Sequence, residues 1–239
     1  MTLLSTLFPL ICWFAYNWIV PLVERRQPSL SVIMTLQRRR WVQNIGRRES
    51  PLDAILSGNL MGAVSFFAST SALLVLAIFA AFGQITSVMT IVSSIALEHA
   101  YSLAEVQLHL VVMLAIFVMS FFSFTLALRQ FNHFCILVGA IDHRYETSER
   151  EVEAIATINA LGAQNFNNGI RAYYFSVAAV AWFAADWLAI VVSLLTVGFL
   201  IHREFFSTAH RVAAMAVIAA RRDDAKATPQ ETKAPDAGL

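Results

Sequence analysis

The chain has 239 residues, of which 58% are hydrophobic and only 14% charged, whereas soluble domains run at about 25% charged and 45–50% apolar, so an ordinary soluble domain is excluded. With 17 Lys and Arg against 16 Asp and Glu the net charge is +1, which gives no general attraction to nucleic acid. Long uncharged apolar runs alternate with short basic stretches, the pattern of a helical membrane protein.

Residues 3–23 are apolar apart from Ser5, Thr6 and Asn17. At about 1.5 Å per residue they cross a hydrocarbon core of about 30 Å and form the first span. No Lys or Arg precedes Arg25, so the positive n-region of a secretory signal is missing and the span is expected to be retained. Leu30, Ile33, Leu36 and Trp41 then recur at near-helical spacing among Arg38, Arg39, Arg40, Arg47 and Arg48. That predicts a helix lying along the lipid headgroups.

Residues 55–82 carry no charge and make the second span. On it Gly58, Gly62, Ser65, Ser69 and Ala72 recur at spacings of four and three, a strip where another helix can approach closely. The expected partner is another span of the same chain, a second protein being the alternative. Residues 83–107 hold no Lys or Arg, only Glu98 and Glu105, and mark the outer side; 85–95 suit a short interfacial helix. The third span, 108–128, is expected to run on through Arg129, Asn132 and His133 to Ile141 and so reach the cytoplasm.

Ser148 and Glu151 spell a capping box for a polar-side helix of about three turns, with Gly162 at its C-terminal cap. Residues 172–201 are apolar around a central Asp186. One upright helix would place that carboxylate near mid-bilayer, at about 2.5–3.5 kcal/mol. A turn near residues 184–187 avoids this and divides the region into spans over 168–184 and 187–204. All 17 Lys and Arg then fall on one side: seven between spans one and two, four from Arg129 to Arg171, and six after span five. The expectation is an all-α membrane domain over residues 1–222 with five spans, the last two a hairpin, and residues 205–222 helical along the inner surface. Residues 223–239 are expected to be a disordered cytoplasmic tail. The expected location is a bacterial inner membrane, N-terminus outside and C-terminus cytoplasmic.

Site chemistry is sparse. Cys12 and Cys135 lie in or beside apolar runs and are expected to pack rather than react. The pairs His202/His210 and His99/His109 lack metal-ligand spacing. A bundle haem is disfavoured because His109 and His133 occupy opposite ends of one span. Nucleophile elbows, Walker loops and dinucleotide fingerprints do not occur, so no cofactor, no metal and no catalysis are expected. Arg203 and Glu204 read as an interfacial ion pair. Asn59, Asn132, His133 and Arg171 are expected to converge near the inner ends of their spans. They form either a network that fixes packing or a small anionic or lipid-headgroup pocket with Arg171 as its main charge.

Four blocks carry a family resemblance: RRRWVQNIG, ILSGNLMGAVSFFASTSALL, QFNHF, and NNGIRAYYFSVAAVAWFAADW followed by HREFFS. In this order they are similar to the bacterial and plant membrane proteins grouped as domain of unknown function 599, over nearly the whole chain except its tail. The resemblance implies no activity. Members often carry proline where this chain has Asp186, which agrees with a turn there. The expected role is a scaffold, assembly or accessory subunit in the lipid bilayer, associated with itself or a membrane-protein complex. The alternative is a transporter or channel for a small solute or lipid, for which the interiors of spans two and three offer only hydroxyls: Ser65, Ser69, Thr70, Ser71, Ser120, Ser123 and Thr125.

Overall fold

The computed structural model describes residues 2–47, 51–97 and 100–227, with side chains described as far as residue 219. Among these the regular elements are all helical: α1 (Thr2–Glu24), α2 (Leu30–Arg47), α3 (Pro51–Gly83), α4 (Ile85–Ile95), α5 (Leu103–Gly139), α6 (Glu149–Ala181), α7 (Asp186–Ile201), a π-helical turn (His202–Phe206) and α8 (Thr208–Ala227). Four segments are long and apolar enough to cross a membrane: Thr2–Glu24, Pro51–Gly83, Leu103–Gly139 and Asp186–Ala219. The α6 helix is not among them, because its first half is rich in Glu, Asn and Gln and only the part from Ala172 onward is apolar. Glu98 and His99 lie outside the described residues. So does the tail beyond Ala227, α8 having entered the stretch expected to lack structure.

The central pair is α5 and α6, and three apolar clusters show how it is built. Residues 106–117 of α5 pack with residues 172–182 of α6; Phe124, Ala127 and Phe131 pack with Ala163; Phe134 packs with Val152, Ile155 and Ala156. The reversed order makes the two helices antiparallel. On this pair α3 packs against α5, α1 against α6 and α7, and α2 against α6 and α8. Close approach comes from two glycines of α6. A Cβ on Gly169 would lie 2.6 Å from the Phe124 ring and one on Gly162 3.0 Å from Phe131.

That use of Gly162 corrects the expected cap. The helix does not end there but runs unbroken to Ala181, because Gly162 is needed for packing rather than for termination. At its start the Ser148 hydroxyl accepts from the Glu151 amide at 3.3 Å, the serine half of the predicted box. A complete box stands at the head of α5, between Ser102 and Glu105.

The small-residue strip is also corrected. The buried side of α3 is Asp53, Ser57, Val64, Ser71 and Ile78. At about 3.6 residues per turn this is nearly opposite Gly58, Gly62, Ser65 and Ser69. Nothing lies within 4 Å of a Cβ built on Gly58 or Gly62. The glycines of the strip therefore pack on no other helix, Gly58 bordering a cavity beside Cys135 and Val138 of α5 and Gly62 lying exposed, while Val64 and Phe67 seat α3 on Phe124.

The last apolar region is broken between Ala181 and Asp186. Beyond the break, α7 and its π turn meet α6 again at Arg171 and Tyr174. The break is tied to the segment after α4, since the Leu97 amide donates to the Ala184 carbonyl at 2.9 Å and the Tyr101 hydroxyl to the Trp182 carbonyl at 3.0 Å.

Candidate functional site

Arg171 lies on α6 where that helix changes from polar to apolar, and it is 8% exposed. A buried guanidinium needs an opposing charge and acceptors for its donors. Glu204, carried in by the π turn, accepts from one terminal nitrogen at 2.5 Å. The other donates to Asn17 Oδ1 at 2.9 Å and to Asn168 Oδ1 at 3.4 Å. The guanidinium carbon stands 5.1 Å from the Tyr16 ring centroid, a cation–π arrangement. Nearby, Trp13 Nε1 donates to the Asn168 carbonyl at 3.2 Å. One charged pair thus joins α1, α6 and the end of α7.

Beside the pair a cavity of about 380 Å³ opens between α1, α2 and α6. Its polar lining includes Asn17, Ser31, Gln164, Asn167 and Asn168, and its charges are Arg39 and Arg171 with Glu24 and Glu153. Arg39 is occupied by Glu149 at 2.6 Å and Glu153 at 3.1 Å. Pro21 lacks an amide proton, so the Asn17 carbonyl loses its usual helical donor at the rim of this space. The cavity is amide-rich and close to neutral, and suits an uncharged polar guest or water better than an anion. A sequence signal for it existed in the Asn and Gln run of residues 164–168, which is unusual on a helix bordering an apolar span.

Only Arg171 of the four expected site residues occupies this place. Asn59, Asn132 and His133 are exposed on α3 and α5, and no hydrogen bond among the described residues joins them to Arg171. The reason is helical phase. Phe131 and Phe134 take the inward positions of α5 and turn their neighbours Asn132 and His133 outward. The expected Arg203–Glu204 pair is likewise corrected. Glu204 turns to Arg171, while Arg203 donates to the Tyr174 hydroxyl at 2.9 Å. Adjacent residues point in different directions around a helical turn, so a sequential pair is a poor guide to a spatial one.

Several polar side chains with no packing role assigned from the sequence are buried. His109 is fully buried, donates from Nε2 to the Ala179 carbonyl at 2.8 Å, and stacks on Trp182 at 4.1 Å between ring centroids. Trp182 stacks on Tyr101 and donates to Ser5 Oγ at 3.1 Å. These contacts lock α1, α5 and the α6–α7 break together. Five of the hydroxyls named for a path in α3 and α5 are also engaged, whereas Ser65 and Ser69 make no hydrogen bond among the described residues. Thr70, Ser71, Ser123 and Thr125 donate to carbonyls one turn back, and Ser120 donates to the Gly169 carbonyl across the α5–α6 seam. Among the described residues no group of three or more His, Cys, Asp or Glu is placed to hold a metal.

The model of a family described as "Protein of unknown function, DUF599" matches residues 4–209. No curated protein and no solved structure matches the chain.

Proposed function

We propose that this chain, which belongs to the DUF599 family of proteins of unknown function, is a noncatalytic scaffold or accessory subunit that associates laterally with itself or with a larger membrane complex. The observation that carries the reading is the outward face of α3, where Gly58 and Gly62 have open space above them. Small residues let helix backbones approach within lipid, where dispersion and weak hydrogen bonds drive association. Among the described residues neither glycine of that strip packs against another helix of the chain.

In the same reading the chain crosses a bacterial inner membrane five times, by α1, α3, α5, the apolar part of α6, and α7, the last two forming a hairpin. The N-terminus is then outside and the C-terminus cytoplasmic. The one-sided distribution of Lys and Arg supports this arrangement. At about 1.5 Å per residue the 37 residues of α5 measure about 55 Å, so the α5–α6 pair stands out beyond the bilayer with α2 packed on it. A transporter or channel is the weaker reading, because Thr70, Ser71, Ser120, Ser123 and Thr125 are engaged with backbone carbonyls rather than lining a path, which leaves only Ser65 and Ser69 of the named hydroxyls unengaged among the described residues.

The test is disulfide trapping in native membranes. Cys12 and Cys135 are replaced by Ala, and a single cysteine is placed at Gly62 or, as a lipid-facing control on α7, at Leu195. Mild oxidation is expected to join the Gly62→Cys chain to a copy of itself or to a second protein, and Gly62→Ile is expected to weaken the native association. Trapping at Gly62→Cys no stronger than at Leu195→Cys would remove the support for lateral association.

A further inference from the structure

Next to the Arg171–Glu204 pair a second cavity, of about 160 Å³, lies between α2, α6 and the π turn. Its apolar wall includes Met34 and Leu200, and its charged groups are Arg38, Arg171, Arg203 and Glu204. Arg171 and Glu204 neutralise each other. The remaining two cations form no ion pair with a carboxylate among the described residues. Arg203 is steadied by the Tyr174 hydroxyl and lies 5.8 Å from that ring's centroid. Arg38 is half-buried and has neither a hydrogen bond nor an ion pair among the described residues. Burial pushes its guanidinium pKa below the ordinary value.

An unpaired, partly desolvated guanidinium is unfavourable unless something anionic completes it. Guanidinium groups present a planar fork that fits phosphate oxygens two at a time. The cavity sits at the level of α2, whose basic and apolar residues place it along the headgroups, and Met34 is 40% exposed at its edge. The most abundant anion at that level is phosphate.

We propose that Arg38 and Arg203, the latter positioned by Tyr174, hold a phosphate group in the cavity between α2 and the π turn. The phosphate is either the headgroup phosphodiester of an anionic lipid or free inorganic phosphate. This site depends neither on lateral association nor on which leaflet α2 occupies. It differs from a pocket with Arg171 as its main charge, since Glu204 already neutralises that residue.

The test uses the full chain purified in a nonionic detergent, its thermal unfolding followed during addition of dioctanoyl phosphatidylglycerol, inorganic phosphate, or a phosphate-free glycolipid. A phosphate-bearing probe is expected to raise the melting temperature, and the glycolipid to leave it unchanged. Stabilisation by phosphatidylglycerol alone assigns the lipid; equal stabilisation by inorganic phosphate assigns the free anion. Arg38→Gln and Arg203→Gln are each expected to raise the half-saturating concentration about tenfold or more. Arg39→Gln, which removes a cation paired with Glu149 and Glu153, leaves it unchanged. Because Arg38 has no protein partner among the described residues, Arg38→Gln is expected to melt without ligand no lower than the parent chain, and it decides the matter if Arg203→Gln fails to fold. No stabilisation by either phosphate probe overturns the proposal. So does an unaltered half-saturating concentration in Arg38→Gln, or a loss of its ligand-free stability as large as that of Arg171→Gln.

Discussion

A guanidinium at the edge of an apolar bundle is kept only by what surrounds it, and for Arg171 that is chiefly Glu204, the two side chains being 10% and 14% exposed. Removing one partner strands the other, so Arg171→Gln or Glu204→Gln is expected to destabilise the fold by about 3–5 kcal/mol. Replacing both, as Arg171→Met with Glu204→Leu, is expected to recover a large part of that loss, because the desolvation of both charges disappears together. Denaturant titration of the three variants in one detergent checks this, and single variants as stable as the parent would show the pair to be water-screened. A parallel contrast holds between glycines. Gly169→Ala drives a methyl into Phe124, which is itself fixed between Phe67, Phe166 and Tyr173, and is expected to lose about 1–3 kcal/mol. Gly62→Ala meets open space, and in the isolated chain is expected to be neutral within about 0.5 kcal/mol. The same denaturant titration distinguishes the two, and equal effects would refute the assigned packing. Nothing in the composition around these glycines separates them. Both lie in apolar or amide-rich helical sequence, and only the ring opposite decides which one is needed.

Among the elements, local chemistry carried further at the ends and in the long apolar runs than in the phase between them. The first three spans were readable because an uncharged run of helical length has no other favourable place, and α1, α3 and α5 extend them by a few residues or a few turns. Helix α6 was harder. Its polar and apolar halves read as two helices because Gly162 resembles a terminator, yet the apolar stripe of Val152, Ile155, Ala156 and Ala163 continues against α5 and carries the helix through. Phase was the hidden variable for α3 as well, where a glycine strip and a Val–Phe strip compete for the inner face and ring packing on Phe124 wins. At the head of α6, where Ser148 accepts from the Glu151 amide, Ser148→Ala is expected to cost about 1 kcal/mol. The loss should appear as faster amide exchange in the first turn of α6, with the 172–181 half unaffected; uniform acceleration along the helix would mean that the cap is not a local device.

At the scale of the molecule, the two questions left to the chain are where its charges go and which way it threads. One carboxylate ties them together. Asp186 opens α7, is 7% exposed, and sits at a helix N-terminus, where the peptide dipole favours a negative charge. If 172–201 were a single upright crossing, the same residue would stand near mid-bilayer at about 2.5–3.5 kcal/mol, and Arg203, Arg211, Arg221, Arg222, Lys226 and Lys233 would all have to pass to the outer side. In the proposed hairpin a turn at the break of residues 182–185 would remove both penalties at once, and the contacts of Leu97 with Ala184 and of Tyr101 with Trp182 put that break beside the cation-free stretch after α4. Phosphatase and fluorescent-protein fusions therefore have a definite expectation: a reporter joined after Ala227 is active only as a cytoplasmic fusion, and one inserted between Ala96 and Ala100 only as an external one. Phosphatase activity at the carboxyl end would mean that α6 does not cross, and that the six cations following α7 are exported at a cost the rest of the fold must absorb.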